Sequence, residues 1–212
     1  LVPEEVRAVT ARSAGRVEER YLLPGAQVTD DTVLLRLSNP DVQLAAQNAQ
    51  WALQAGRADL RNLEVTLQTQ RLQQQSNAAQ VQANFKTMQL RAELEQQLFN
   101  EKLTSELDLQ LAVTSAEEAS TRHDIEQQRL DIIEDQVTAQ LESRRTQVQQ
   151  LEAHHQLAVN DLEALNVRAG IVGVLQEVPV EIGQSITPGT VLARVVNPFK
   201  LKAELRIPET QA

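Results

Sequence analysis

Residues 25–40 read Gly-Ala-Gln-Val-Thr-Asp-Asp-Thr-Val-Leu-Leu-Arg-Leu-Ser-Asn-Pro, and residues 183–198 read Gly-Gln-Ser-Ile-Thr-Pro-Gly-Thr-Val-Leu-Ala-Arg-Val-Val-Asn-Pro. Sliding the chain by 158 residues lays one on the other, with eight of sixteen positions identical, where chance would give roughly one. Gly25 falls on Gly183, Thr29 on Thr187, Thr32-Val33-Leu34 on Thr190-Val191-Leu192, Arg36 on Arg194 and Asn39-Pro40 on Asn197-Pro198. Upstream, Ala14-Gly15 pairs with Ala169-Gly170 if a three-residue insertion is allowed. Neither copy is long enough to bury a core alone, so the two are expected to be halves of one small sandwich.

What lies between the copies is a different material. From Asp41 to Val167 there is no proline and a single glycine, Gly56, so nothing covalent forces a helix to stop before Asn166. One interruption stands near the middle, at Asn100-Glu101-Lys102-Leu103-Thr104-Ser105, and Ser105 followed by Asp108 resembles the start of a second helix. Two arms of about 60 residues, folded back at 1.5 Å rise per residue, would extend roughly 90 Å. The arms must leave and return together, because the flanking halves would lie side by side.

The apolar spacing supports two partnered arms. In the second, Leu109, Ala112, Ala116, Ala119, His123, Glu126, Leu130, Ile133 and Val137 alternate steps of three and four. After a phase slip the series resumes at Leu141, Arg144, Val148, Leu151, His155, Ala158, Leu162 and Leu165. The first arm carries Ala46, Ala49, Leu53, Leu60, Leu63 and Leu67, then Val81, Phe85, Met88 and Ala92, with Gln70, Gln74 and Asn77 expected in the seam between. So narrow and polar a stripe is marginal on a lone helix, and each arm needs the other or a neighbouring subunit.

The ends are β material. Val6 to Arg12 alternates as a strand does, Val17 to Leu23 reads as a second strand, Pro24-Gly25 as a turn and Thr32 to Leu37 as a third strand. Net charge of −9 over 212 residues argues against a nucleic-acid partner. The absence of cysteine excludes a disulfide framework and thiolate metal sites. An aromatic share of 2% is too small for a large conventional core. No run of 18 apolar residues is present, and a chain opening at Leu1 is expected to be an internal fragment.

Two half-motifs of this kind, Gly-x-Val, Pro-Gly or Ile-Gly, and Thr-Val-Leu, split by a long helical hairpin, resemble the periplasmic adaptor or membrane fusion proteins of the HlyD-like family. The resemblance implies an α+β fold: a long antiparallel coiled-coil α-hairpin inserted between the two halves of a lipoyl/biotinyl-like β-sandwich, with the start of a β-barrel domain at the C-terminus. The expected boundaries are 1–40 and 167–198 for the half-domains, 41–166 for the hairpin with its turn near 100–106, and 199–212 for a first barrel strand beginning Phe199-Lys200-Leu201-Lys202. It also implies a function. Such a chain links an inner-membrane transporter to a TolC-like outer-membrane channel for efflux or secretion, lives in the periplasm anchored through a segment outside these residues, and forms a homo-oligomer of six protomers. An ABC-type transporter is favoured over a proton-driven one, because the arms are long and the usual tip arginine is replaced by Leu94. The alternative is an oligomerisation scaffold of the envelope with no conduit role.

The docking residues implied by the resemblance sit at the turn: Leu98, Lys102, Leu103, Thr104, Ser105 and Asp108. Leu98 and Ser105 keep the family spacing, and the nearest arginine is Arg91. The bland reading is that Thr104 and Ser105 cap a helix while Leu98 closes the seam. No cofactor is expected, since no lysine occurs in residues 1–85 and the insertion occupies the place of a modifiable lysine. No catalytic or metal site is expected either. His154 and His155 point about 100° apart on a helix, and the acidic pairs Glu117-Glu118 and Glu134-Asp135 lie on a rod without a pocket. Trp51 and Gly56 are expected to pack against the β unit or to let the helices approach.

Overall fold

In the computed structural model of the chain, residues 2–3, 6–197 and 201–202 are described. The elements are β1 (Val2–Pro3), β2 (Val6–Thr10), β3 (Gly15–Arg20), β4 (Gln27–Val28), β5 (Val33–Ser38), α1 (Pro40–Asn100), α2 (Glu106–Glu163), β6 (Asn166–Arg168), β7 (Gly173–Glu177), β8 (Ser185–Ile186), β9 (Val191–Val196) and β10 (Leu201–Lys202). Two compact units result, Leu1–Leu53 with Leu151–Ala212, and Gln54–Gln150.

The first unit holds two four-stranded antiparallel sheets, in the orders β2-β9-β7-β4 and β6-β5-β3-β8. Each draws two strands from either end of the chain, so the repeat halves interleave. The 158-residue shift runs through the whole ladder. Val17 faces Leu37 and Leu175 faces Val195; Glu19 faces Arg36 and Glu177 faces Arg194. Val9 faces Ala193 while Val167 faces Leu35, with a register break at the matching place in each pair. Turn bonds repeat too: Gly25 N–H donates to Leu175 O at 2.8 Å and Gly183 N–H to Val17 O at 2.8 Å. The ion pairs Arg36–Glu19 (3.4 Å) and Arg194–Glu177 (3.2 Å) are likewise copies.

This constant shift corrects the expected insertion. Ala11 is the mate of Ala169, and Gly15 is the mate of Gly173, with no residues gained or lost. The glycine is required for close approach. A Cβ at Gly15 would stand 3.2 Å from Ser38 O, and one at Gly173 would collide with Val196 O, the equivalent carbonyl.

Two buried clusters share the interior and are copies of each other. One contains Val28, Leu34, Ala169, Leu175, Ala193 and Val195. Its mates Ile186, Leu192, Ala11, Val17, Leu35 and Leu37 all lie in the other, which also takes in Leu165 and packs against Val42 and Leu162 at the roots of the helices. Fully burying a leucine or valine contributes about 1.5–3 kcal/mol relative to exposure, and these six-residue sets supply most of the apolar burial of the sheets. Nearby, Ala46, Ala49 and Ala158 are small enough to let the two helices meet closely.

Helix α1 starts by side-chain capping. Asn39 Oδ1 accepts the N–H of Asp41 (3.0 Å) and Val42 (3.3 Å), and Pro40 takes the first helical position, where no N–H is needed. Asn39 Nδ2 donates to Ala14 O at 2.8 Å, which ties the cap to the sheet.

In the second unit α1 and α2 run antiparallel. Arg144–Asp59 (3.8 Å), Arg145–Glu64 (3.6 Å) and Arg71–Glu134 (2.8 Å) pair across it, and from Glu64 to Arg71 on α1 the partner on α2 falls from Arg145 to Glu134. All seam positions expected on α2 within this unit are buried or half-buried. On α1 the expectation holds in the middle only for Gln74, which is half-buried in the seam; Gln70 and Asn77 are exposed, and Ala78 takes the place expected of Asn77. Gln74 Nε2 donates to Glu126 Oε1, and Glu126, 9% exposed, is the buried charged residue of the described chain. Arg129 Nη1 reaches its other oxygen at 3.4 Å. One layer further, Phe85 stacks on His123 with centroids 5.2 Å apart.

Of the expected barrel strand at 199–212, only Leu201–Lys202 lies within the described residues. It pairs antiparallel with β1, Val2 facing Lys202. Among the described residues no helix is long and apolar enough to cross a membrane.

Candidate functional site

The turn joining the arms closes in five residues, 101–105, and each end is held by its own hydrogen bonds. At the end of α1, Leu103 N–H donates to Leu98 O (2.8 Å) and Lys102 N–H to Phe99 O (2.9 Å). These are the six-to-one and five-to-two bonds of a Schellman motif, and they satisfy carbonyls that the helix leaves open. The residue that must turn left-handed is Lys102, at φ 61°, where glycine is the usual choice. At the start of α2, Asp108 N–H donates to Ser105 Oγ (3.2 Å) and the Ser105 hydroxyl donates to Asp108 Oδ2 (2.6 Å). Glu106 and Asp108 also place negative charge in the first turn, where the helix dipole favours it. Between the caps, Thr104 Oγ1 donates to Glu95 Oε2 at 3.0 Å, latching the turn to the last stretch of α1.

All six expected docking residues therefore lie in or beside one turn, in two different roles. Ser105 and Asp108 face each other as a cap and Thr104 is half-buried as a latch, whereas Leu98 is half-buried in the seam and Lys102 is exposed. Leu103, 68% exposed, and Leu107, 66% exposed, form the apolar part of the tip. Leu107 was not among the expected residues. Its signal was its place in the first turn of α2, between the Ser105 cap and the seam residue Leu109. Leu94, in the place of the family arginine, is exposed too.

Elsewhere the expectations divide. Trp51 is 55% exposed and lies outside the buried clusters; its phase on α1 is opposite to the seam residues Ala49 and Leu53. Gly56 is half-buried, in register with Leu53, Leu60 and Leu63. His154 is exposed and His155 half-buried in the seam, so the adjacent rings point apart.

No protein-family model and no curated protein sequence matches the chain. Among solved structures, the periplasmic adaptor protein EmrA is similar over 92% of this chain and 73% of its own, at 16% identity and a TM-score of 0.50. This chain has the fold of a periplasmic adaptor protein. The soluble domain of LipC, a membrane fusion protein of a type I secretion system, covers 91% of this chain and 99% of its own, at 14% identity and a TM-score of 0.49. MacA from Actinobacillus actinomycetemcomitans matches 92% of this chain and half of its own (50%), at 17% identity and a TM-score of 0.45. In this adaptor fold two long helices are inserted in sequence between the strands of the interleaved sheets, and the capped turn is the point most distant in sequence from both β ends.

Proposed function

We propose that the chain is the periplasmic adaptor subunit of an efflux or secretion system, linking an inner-membrane transporter to an outer-membrane TolC-like channel. The observation that carries this reading is the hairpin tip. It is closed by a Schellman motif and a serine cap, and it holds Leu103 and Leu107 out to solvent. A rigid tip with exposed apolar side chains is a docking surface whose ordering entropy has already been lost. Leu98, Lys102, Leu103, Thr104, Ser105 and Asp108 are assigned to that contact, Ser105, Asp108 and Thr104 by shaping it and Leu103 by touching the channel.

The two interleaved sheets correspond in this reading to a lipoyl-like domain over 1–40 and 167–198. Residues 41–166 form the conduit-lining hairpin, and 199–212 begin a β-barrel. The protein works in the periplasm, tethered to the inner membrane, as a ring of six. The outward faces of the arms support side-by-side assembly. In the hairpin unit Val65 and Leu72 on α1, and Ile125 and Ile132 on α2, repeat every seven residues and are exposed, which gives each arm an apolar stripe away from its partner. An ABC-type transporter is favoured over a proton-driven one by the arm length.

Site-specific photocrosslinking in cells from Leu98, Lys102 or Leu103 tests the reading. Capture of an outer-membrane channel, with export lost in Leu103→Asp, is the expected result. Capture of copies of the chain alone, with export intact, would leave an envelope scaffold.

A further inference from the structure

At the open side of the β unit, strands β2 and β6 are the edge strands of their two sheets. Between them lies a cleft of about 420 Å³, floored by the last turn of α2. Arg7, Arg12 and Arg168 line it, against a single carboxylate, Glu163. That balance runs opposite to the chain as a whole, where 29 acidic residues outnumber 20 basic ones.

The sheets do not call for these arginines. Under the 158-residue repeat Arg7 is the mate of Leu165, Arg168 of Thr10 and Arg12 of Gly170, so each breaks the symmetry that the core and ladder otherwise keep. Two are fixed in place by the backbone. Arg7 Nη1 donates to Gly170 O at 2.7 Å and Arg168 Nη1 to Asp31 O at 2.7 Å. The Arg7 guanidinium also lies flat over Gly170. A Cβ there would meet its Cζ, Nη2 and Nη1 at 3.1, 3.2 and 3.3 Å, a spread too small for an edge-on approach. A guanidinium has five N–H donors, so one bond to a carbonyl leaves most of the fork free.

We propose that this cleft binds a phosphate monoester, its dianionic head held by Arg7, Arg12 and Arg168. Three cations against one glutamate leave the charge of a dianion to be balanced. Three planar forks match the three terminal oxygens of a phosphate ester better than the two of a carboxylate. The volume far exceeds a bare phosphate and falls in the range of small-molecule sites, so the ester carries an organic body, which Val9, Ala164 and Val167 would border. Soluble phosphate esters and the monoester head group of phosphatidic acid share this chemistry. The assignment is independent of the adaptor reading.

Isothermal titration of the 212-residue chain with phenyl phosphate, and flotation with vesicles containing phosphatidic acid, separate the two sources. Saturable binding to either is expected. Arg12→Ala, which removes an exposed side chain, should weaken it about tenfold, the loss of one charge-assisted hydrogen bond. Gly170→Ala, which crowds the Arg7 guanidinium and puts a side chain on a residue at φ 69°, should weaken it as well, with circular dichroism confirming that both variants fold. Succinate should compete poorly. No saturable binding to phenyl phosphate or to the vesicles, equal binding by Arg12→Ala and Gly170→Ala, or succinate binding as tightly as phenyl phosphate would each overturn the assignment.

Discussion

Gln74 on α1 and Glu126 on α2 meet inside the hairpin, the amide donating to a carboxylate that is only 9% exposed. Neither residue alone can remain there cheaply. Gln74→Leu strands a buried carboxylate with only the lateral Arg129 and should cost about 1–3 kcal/mol. Gln74→Leu with Glu126→Leu replaces both by apolar groups and should recover that loss or exceed wild type. Urea unfolding followed by circular dichroism checks the pair; a double variant no more stable than the single one would deny the coupling.

The tip carries one unfavourable backbone choice and one favourable cap. Lys102→Gly relieves a left-handed lysine at φ 61° and should stabilise the hairpin by about 0.5–1 kcal/mol. Ser105→Ala removes the acceptor for Asp108 N–H and should cost about 1 kcal/mol. Thermal melts of the two variants should therefore move in opposite directions.

The two mated glycines should differ in tolerance. At Gly15 a Cβ meets Leu37 Cβ and Ser38 O, both at 3.2 Å, a squeeze that a shift of a few tenths of an ångström relieves. At Gly173 it meets the Val196 carbonyl inside contact distance, at the end of the β7–β9 pairing where Val174 faces Val196. Gly173→Ala should lower the melting temperature clearly more than Gly15→Ala, and equal losses would contradict the geometry.

Tyr21 is the chain's one tyrosine, so its titration can be followed by ultraviolet absorbance without overlap. Its hydrogen bond to the Glu19 carboxylate raises its pKa above the usual phenol value, with desolvation adding to the effect. A raised pKa means that the folded state prefers the protonated phenol. The associated stability is present below the unfolded pKa and is lost as pH rises through the folded one. Glu19→Gln should bring the midpoint down towards the ordinary value, and an unchanged midpoint would exclude that carboxylate as the cause.

The repeat was readable from Gly25 to Pro40, where half of the positions are identical under the 158-residue shift, whereas over residues 6–24 only Val9, Ala11, Gly15 and Glu19 keep their identity, which let Ala14-Gly15 be laid on Ala169-Gly170 out of register. The interleaving of halves between the sheets was not readable, since identity between copies says nothing of which copy a strand pairs with. On α2 the phase slip after Val137 was visible because Val137, Leu141 and Val148 are apolar. The matching slip on α1, between Leu67 and Ala78, was hidden. Gln70, Gln74 and Asn77 are all polar, and Ala78 alone marked the true phase. At the turn the Ser105 cap carried a spacing signal, whereas the Schellman end did not, because lysine stands where glycine would have announced it. The arginine cleft had no linear signature, since Arg7, Arg12 and Arg168 come from opposite ends of the chain.

The interleaved ladder also sets an order of events during synthesis. Strand β5 pairs with β6, Val33 facing Arg168, and of the pairings made by the five strands that precede the hairpin only β3 with β5 can form before the C-terminal strands are synthesised. Closing a flexible loop of that length costs about 4 kcal/mol in chain entropy. The helical arms remove this cost by zipping from their turn downward through neighbour contacts, and they deliver residue 166 beside residue 36 as the last step. The hairpin is thus the chain's own folding template as well as its longest element. Until it has closed, β3 to β5 offer unpaired edges, and a slow or broken hairpin would be felt first as aggregation of the nascent N-terminus.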